Sequence, residues 1–322
     1  MEAFYMIVYI IKYITLFFLG THIAFSAVNS YPYKKKDIIL NELSTNGSST
    51  LAPITTQWIL DFIDYYPEID PTILSQNSSF GIQQLINQEI GIARSSNRIT
   101  PQKKREFFDK YGYYPTEIVI ALDALIIIVN RKNTIQSISL QELSNIFSMN
   151  NLCGGEKITS WSHFNTSTHS EDARINIFSR EFSSGTASSF KRIALCQDDY
   201  SNNVVILPDN YEITDQIAQD INAISFIPRV FLTKSTKIVP INITIDDQII
   251  SPTITNIQTG LYPLVRQLYF YVNKAPNKPL DPTIKEFILY VLSQQGQEQL
   301  KDYDLLPISE TMIKLQKEKI EQ

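Results

Sequence analysis

The sequence predicts an α/β fold, because apolar runs of strand length alternate with amphipathic stretches of helical period along most of the chain. Residues 118–130, IVIALDALIIIVN, form a continuous apolar run broken only by Asp123, which is typical of a strand buried on both faces. Residues 174–180, RINIFSR, alternate with a period of two, and the segment TASSFKRIAL that follows has helical spacing. A strand that leads directly into a helix is the repeating unit of α/β folds.

Three helices are predicted before the long apolar run. Residues 52–66 and 81–89 carry apolar side chains at helical spacing, and each stretch follows a short polar segment, NGSST or QNSSF. Residues 101–111 follow Thr100, a typical N-cap residue, and begin with Pro101, which favours the first turn of a helix.

The later elements are predicted from the same two periodicities. They are helices at 139–147, where Ser139 and Glu142 can form a capping box, at 186–195, 211–221, 283–292 and 295–303, and strands at 222–227 and 260–273. The chain contains no internal repeat and no low-complexity tract. The elements therefore belong to one large domain or to two of medium size.

Composition limits the function classes. At 322 residues with 43% apolar side chains the chain can bury a substantial core. Its net charge is -5, with Lys and Arg spread along the sequence, so the basic footprint of a nucleic-acid-binding protein is missing and no nucleic acid is expected as a partner. No cofactor-binding motif is recognised, and no cofactor is expected.

Residues 1–26 are interpreted as a signal peptide. The first 27 residues carry only Glu2 and Lys12 as charged side chains, and the segment ends in Ala24-Phe25-Ser26, which resembles a cleavage site. A retained membrane anchor is the alternative, but the apolar run after Lys12 is shorter than the roughly 20 residues that a spanning helix needs. A periplasmic location is expected.

Cys153 and Cys196 are the only cysteines. In an exported chain two cysteines suggest one disulfide, and neither lies in a CxxC pair typical of a metal site. Two buried thiols are the alternative.

Three hydroxyl-rich turns precede predicted helices, at residues 47–50, 78–81 and 183–186. A helix N-terminus offers unpaired backbone N–H groups and partial positive charge, to which Ser and Thr add hydroxyl donors. A single turn of this kind is more often an ordinary helix cap. Arg180 favours a functional interpretation, because it ends a predicted strand just before the third turn and can pair with the same anion.

These segments resemble a known family. The matching motifs are NGSST before a helix, SSFG, IARSSNRIT, ALDALIIIVN, SLQELSNIF, KITSWSHF, REFSSGT, GLYPLVRQLYFYVN and QQGQEQL, in this order. Together they are similar to the motifs of the PstS-like group of type II periplasmic binding proteins, the phosphate-binding receptors of phosphate ABC importers. The resemblance runs from about Leu43 to Ile308.

The resemblance implies a fold, partners and a binding site. It implies two α/β lobes, each a mixed sheet flanked by helices, with two crossing strands as a hinge near 118–124 and 228–240. The first lobe is expected at 38–119 and 236–322, and the second at 120–235. The ligand-binding residues carried over are Ser48, Ser49, Thr50, Ser79, Ser96, Arg180, Ser184, Gly185 and Thr186. The implied partners are phosphate and the membrane subunits of an importer, bound by a monomer.

The sequence departs from the family pattern at one site segment. Where relatives have Ser-Arg, this chain has Ser96 and Asn97, with Arg98 one place later.

A phosphate-selective site also needs one acceptor carboxylate for the proton that phosphate keeps, and Asp123 and Glu181 are the candidates; Asp123 can instead orient Arg180. Another tetrahedral oxyanion is therefore the alternative ligand.

The sequence also bears on two other function classes. An enzyme is not expected, because no Gly-x-Ser-x-Gly motif is present and His163 and His169 fall in a polar loop. The same two histidines lack the carboxylates that a metal site needs, so no metal is expected. A sensory or interaction module on the same fold, without a role in transport, is the remaining alternative.

Overall fold

The computed structural model describes residues 32–37, 42–164, 173–243 and 248–321. The predicted signal peptide and its cleavage site lie outside these ranges. None of the helices in the described part of the chain is both long and apolar enough to span a bilayer.

The described elements alternate between strands and helices, which confirms the predicted α/β class. The first half of the chain contains β1 (Leu43–Gly47), α1 (Ala52–Tyr65), β2 (Pro71–Ile73), α2 (Ser78–Asn87), β3 (Ile92–Ser95), α3 (Pro101–Tyr111), β4 (Thr116–Asn130), β5 (Ile138–Ser139) and α4 (Leu140–Phe147). The second half contains β6 (Asn176–Arg180), α5 (Gly185–Ala194), β7 (Val204–Leu207), α6 (Asn210–Gln219), β8 (Ala223–Pro228), β9 (Thr236–Val239), β10 (Ile241–Ile243), β11 (Gln248–Ile250), α7 (Ile254–Gln258), β12 (Val265–Val272), α8 (Pro282–Val291), α9 (Gln294–Glu298) and α10 (Glu310–Glu321).

Helix starts follow the predicted capping residues where these are strong. The Thr100 side chain accepts a hydrogen bond from the Lys103 amide at the start of α3, and Ser139 and Glu142 form the reciprocal capping box of α4. Helix α2, however, begins at Ser78, because Asn77 is its N-cap and accepts from the Phe80 amide. The second hydroxyl-rich turn is therefore the first turn of a helix.

The long strand β4 is the centre of the sheet. Strands of the described chain follow the order β2-β1-β3-β12-β4-β8-β6-β7, and β9 pairs with the C-terminal part of β4. The pairs of β1 with β2 and β3 and of β6 with β7 and β8 are parallel, whereas β12 and β8 run antiparallel to β4. A separate three-stranded sheet has the order β11-β10-β5.

The described residues form two main hydrophobic cores, and β4 contributes residues to both. The first core contains residues of β4 up to Ala121, and the second begins at Ala124. We define the first lobe by the first core, with residues 43–121 and 268–320 except Leu306, which packs in the second core. The second lobe is defined by the second core and a smaller adjoining cluster, with residues 124–264.

The return crossing differs from the one expected near residues 228–240. Residues 236–264, assigned above to the first lobe, pack in the second, because β9 pairs with the second half of β4 and β10 pairs with β5. The chain returns along β12, whose residues from Leu268 onward join the first core. The two strands that pass between the lobes are therefore β4 and β12.

Candidate anion-binding site

The first hydroxyl-rich turn connects β1 to α1. Gly47 ends β1 with a φ of +128°, and a Cβ here would lie 2.1 Å from the Arg94 carbonyl oxygen, so β1 approaches β3 closely only with glycine. The Ser48 amide donates to the same carbonyl at 2.9 Å. This arrangement places Ser48 Oγ 3.1 Å from the Oγ of Ser96, the residue that directly follows β3.

The first turn of α2 reaches the same point. Ser78 Oγ lies 3.3 Å from Ser96 Oγ and accepts a hydrogen bond from the Ser96 amide at 3.2 Å. Ser79, which the resemblance assigns to the ligand, is half-buried and donates to the Ser183 carbonyl at 3.0 Å. Ser78 rather than Ser79 therefore lies in the buried hydroxyl cluster of Ser48, Ser78 and Ser96.

Arg180 lies at the end of β6 and is buried. Its Nη1 donates to Ser49 Oγ at 3.4 Å, which connects the second lobe to the first, and its Nε has no hydrogen-bond partner among the described residues. Burial lowers the pKa of the guanidinium, while the nearby Glu181 and Asp209 oppose this shift. A buried cation without a paired carboxylate favours an anion beside it.

The N-terminus of α5 forms the other part of the candidate site on the second lobe. Ser184 is the N-cap and accepts from the Ala187 amide at 3.1 Å, so the first-turn amides of Gly185 and Thr186 have no carbonyl partner within the helix. A Cβ on Gly185 would lie 2.2 Å from Ser96 Oγ. Only a glycine allows the positive end of α5 to approach the hydroxyl cluster so closely.

Arg266, which is not among the expected site residues, forms a buried ion pair with Asp123, a candidate acceptor carboxylate. Their side chains are 1% and 0% exposed, and Arg266 Nη2 lies 2.7 Å from Asp123 Oδ2. Burial raises the pKa of the Asp123 carboxyl and lowers that of the Arg266 guanidinium, while their mutual attraction opposes both shifts. Asp123 therefore pairs with Arg266, which corrects the expectation that it orients Arg180.

A sequence signal for this pair was available. Asp123 is the only charged residue within residues 118–130, and Arg266 is the only charged residue within residues 261–273. Two lone opposite charges in apolar strands favour direct pairing, and the two residues are register partners of β4 and β12.

Arg98 and Glu181 lie away from the buried cluster. Arg98 has a side chain that is 71% exposed, and its Nε lies 3.6 Å from Glu117 Oε1, so it does not replace the arginine of the family pattern. Glu181 is exposed and accepts from Asn77 Nδ2 at 3.4 Å and from Ser183 Oγ at 3.1 Å. Of the two candidate acceptor carboxylates, only Asp123 is buried.

The residues relevant to other functions are the histidines and the two cysteines. His163 is exposed and its Nε2 lies 3.3 Å from Glu142 Oε1, whereas His169 lies outside the described residues. Across the described ranges, no three His, Cys, Asp or Glu side chains form a group that could hold a metal ion. Cys153 and Cys196 are joined by a disulfide with their Cα atoms 5.4 Å apart.

Comparison with known proteins identifies the family. A family model described as a PBP superfamily domain matches residues 34–295. The phosphate-binding protein PstS of Pseudomonas aeruginosa is 32% identical over 277 residues, which cover 86% of this chain and 86% of that protein. The chain is a PstS-like member of the PBP superfamily.

Other relatives of this PstS-like chain also match it over most of their length. The phosphate-binding protein PstS of Borreliella burgdorferi is 26% identical over 306 residues, which cover 92% of this chain and 98% of that protein. The crystal structure of an ABC-type phosphate transport receptor from Vibrio cholerae matches the fold with a TM-score of 0.65 at 22% identity, covering 83% of this chain and all of that one. The two-lobed PBP fold implied by the sequence motifs is confirmed.

Proposed function

We propose that this PstS-like protein captures inorganic phosphate between its two lobes and delivers it to an ABC importer. The observation that carries the proposal is the meeting of the first-lobe hydroxyl cluster with the N-terminus of α5 and with buried Arg180, whose Nε lacks a hydrogen-bond partner in the described part of the chain. Hydroxyl groups, free helix amides and a guanidinium are the donors that bind a tetrahedral oxyanion. The names of the relatives from P. aeruginosa and B. burgdorferi favour phosphate.

The proposed ligand-binding residues fall into two groups, one on each lobe. They are Ser48, Ser49, Thr50, Ser78 and Ser96 on the first lobe, and Arg180, Ser184, Gly185 and Thr186 on the second. The guanidinium of Arg180 supplies the net positive charge, because that of Arg266 is balanced by Asp123. Closure of the lobes around the anion surrounds it with donors and excludes water, which strengthens each charged contact.

Selectivity for phosphate needs an acceptor for its proton. We infer that Asp123 is this acceptor, because its Oδ1 has no hydrogen-bond partner among the described residues and Arg266 connects it to Thr50 and Thr186. Sulfate carries no proton at neutral pH and meets only repulsion from such a carboxylate. Asp123→Asn should therefore lower the ratio of sulfate Kd to phosphate Kd, whereas an unchanged ratio excludes this role.

Titration calorimetry of the mature protein tests the proposal. We expect one phosphate bound per chain by wild type and no detectable binding by Arg180→Ala. Absence of heat with phosphate, sulfate, molybdate and tungstate contradicts the proposal, and binding of another of these anions in place of phosphate supports the alternative ligand.

Transport requires export and a membrane partner. The apolar segment at residues 1–26 supports export to the periplasm, where a monomer would meet the membrane subunits. Fractionation of cells for the location, gel filtration for the monomer, and phosphate uptake after deletion of the gene test these points. Unchanged uptake in the deletion strain favours a sensory role.

A further inference from the structure

Arg266 makes hydrogen bonds to both lobes at once. Its Nη2 donates to Thr50 Oγ1 at 3.2 Å on the first lobe, and its Nη1 donates to the Gly185 carbonyl at 3.0 Å on the second. Both Nη atoms lie 3.4 Å from Thr186 Oγ1, and Nε donates to Asp123 Oδ2 at 2.8 Å. One buried guanidinium thus contacts the first hydroxyl-rich turn, the start of α5 and strand β4.

We propose that Arg266 is a positioning residue that aims the hydroxyl protons of Thr50 and Thr186 at the bound anion and holds the two lobes together in the closed form. This inference rests on the proposed function, because it assigns a role within the same binding site. It concerns a residue that is not expected to contact the anion itself.

The direction of the hydroxyl protons follows from hydrogen-bond chemistry. A threonine hydroxyl has one proton to donate and two lone pairs that accept, whereas a guanidinium only donates. Thr50 and Thr186 therefore act as acceptors toward Arg266, and each keeps its proton for another partner. An oxyanion between the lobes supplies the acceptor that these two protons need.

The ion pair with Asp123 lets Arg266 orient the two hydroxyl groups while it adds little net charge to the site. Asp123 Oδ2 fixes the plane of the guanidinium from β4, the neighbouring strand. Because the carboxylate neutralises the guanidinium, Arg266 adds little long-range attraction for the anion. Its loss should raise the dissociation rate of phosphate and leave the association rate nearly unchanged, in contrast to the loss of Arg180.

The contacts to opposite lobes make Arg266 sensitive to closure. If the lobes separate, the guanidinium cannot keep its bonds to Thr50 and to Gly185 together, because these residues belong to different lobes. An ammonium at this position retains the charge opposite Asp123 but lacks the planar set of five donors. Arg266→Lys is therefore the variant that removes the simultaneous contacts and preserves the ion pair.

A double-mutant cycle tests the inference. The phosphate Kd and dissociation rate are measured for wild type, Arg266→Lys, the Thr50→Val/Thr186→Val protein and the triple variant. Arg98→Lys, on the surface, is the control for replacing an arginine with lysine. Thermal unfolding without ligand shows which variants fold. We expect Arg266→Lys to raise Kd about 10- to 30-fold, the size expected for two hydrogen bonds.

The cycle separates a positioning role from a structural one. If Arg266 acts through the two hydroxyls, the effect of Arg266→Lys nearly disappears in the Thr50→Val/Thr186→Val background. Equal effects in both backgrounds, or a change confined to the association rate, overturn the positioning role while phosphate binding by wild type still stands. No binding of phosphate by wild type overturns the proposed function itself, and the inference with it.

Discussion

Replacing Gly185 with alanine tests whether the two lobes meet at the N-terminus of α5. A Cβ at this position would lie 2.2 Å from Ser96 Oγ and 2.6 Å from Ser78 Oγ, both on the first lobe. The Gly185 backbone is not in the left-handed region, and alanine is the best helix former, so the second lobe should fold normally. The added methyl group therefore acts on the closed form.

The size of the effect follows from the bonds that must break. Ser96 and Ser78 can avoid the methyl group by turning their hydroxyls, but this loses the contacts of Ser96 with Ser48 at 3.1 Å and with Ser78 at 3.3 Å. Each hydrogen bond contributes about 1 kcal/mol, and the anion loses one donor as well, so the closed form is destabilised by about 2–3 kcal/mol. The Kd for phosphate should rise roughly 30- to 150-fold.

Calorimetric titration with phosphate measures this change. The control is Ser188→Ala, which alters a half-buried residue on the same helix, and ligand-free thermal unfolding of both variants checks the fold. If Gly185→Ala folds and binds phosphate with the affinity of wild type, the two lobes do not close at this contact and the geometry described above is refuted.

Three further substitutions test other parts of the site and fold. Arg180→Met removes the unpaired charge and should raise the phosphate Kd by at least about 100-fold in calorimetry, since hydrogen bonds to charged groups are the strong ones; a smaller change contradicts its role. Ser78→Ala should raise Kd about 10-fold and Ser79→Ala no more than about threefold, because only the first hydroxyl lies in the buried cluster; the reverse order favours the original assignment. Cys153→Ser combined with Cys196→Ser should lower the free energy of unfolding in denaturant by about 4 kcal/mol, the loop-closure entropy of 43 residues, with phosphate affinity nearly unchanged; equal stability contradicts the disulfide.

Local signals determined which elements could be predicted. Helix α3 follows Thr100 and begins with Pro101, and the 13-residue apolar run forms most of β4. Strand β1 was missed, because its five residues, LSTNG, contain three that are polar although most of the strand is buried. Such a strand depends on pairing with β2 and β3, which short-range periodicity does not report.

Contacts between distant segments explain the other differences between expectation and structure. The sequence cannot show which core β9 and β10 face, and only their pairing with β4 and β5 assigns them to the second lobe. The three hydroxyl-rich turns were expected next to helix starts from local sequence alone, and α1, α2 and α5 begin within these turns or just after them. Arg266, which we propose as a positioning residue, was not among the expected site residues; its lone charge and that of Asp123 favour pairing, but only the register of β4 and β12 brings them together across 143 residues of chain.

A crystal structure of the protein grown with phosphate tests the central claim most directly. The account predicts one tetrahedral anion enclosed by both lobes, with an oxygen within about 3 Å of the Arg180 guanidinium and of the amides at the start of α5, as expected for charge-assisted hydrogen bonds. An anion bound elsewhere, or Arg180 directed to solvent while the lobes are closed, contradicts it.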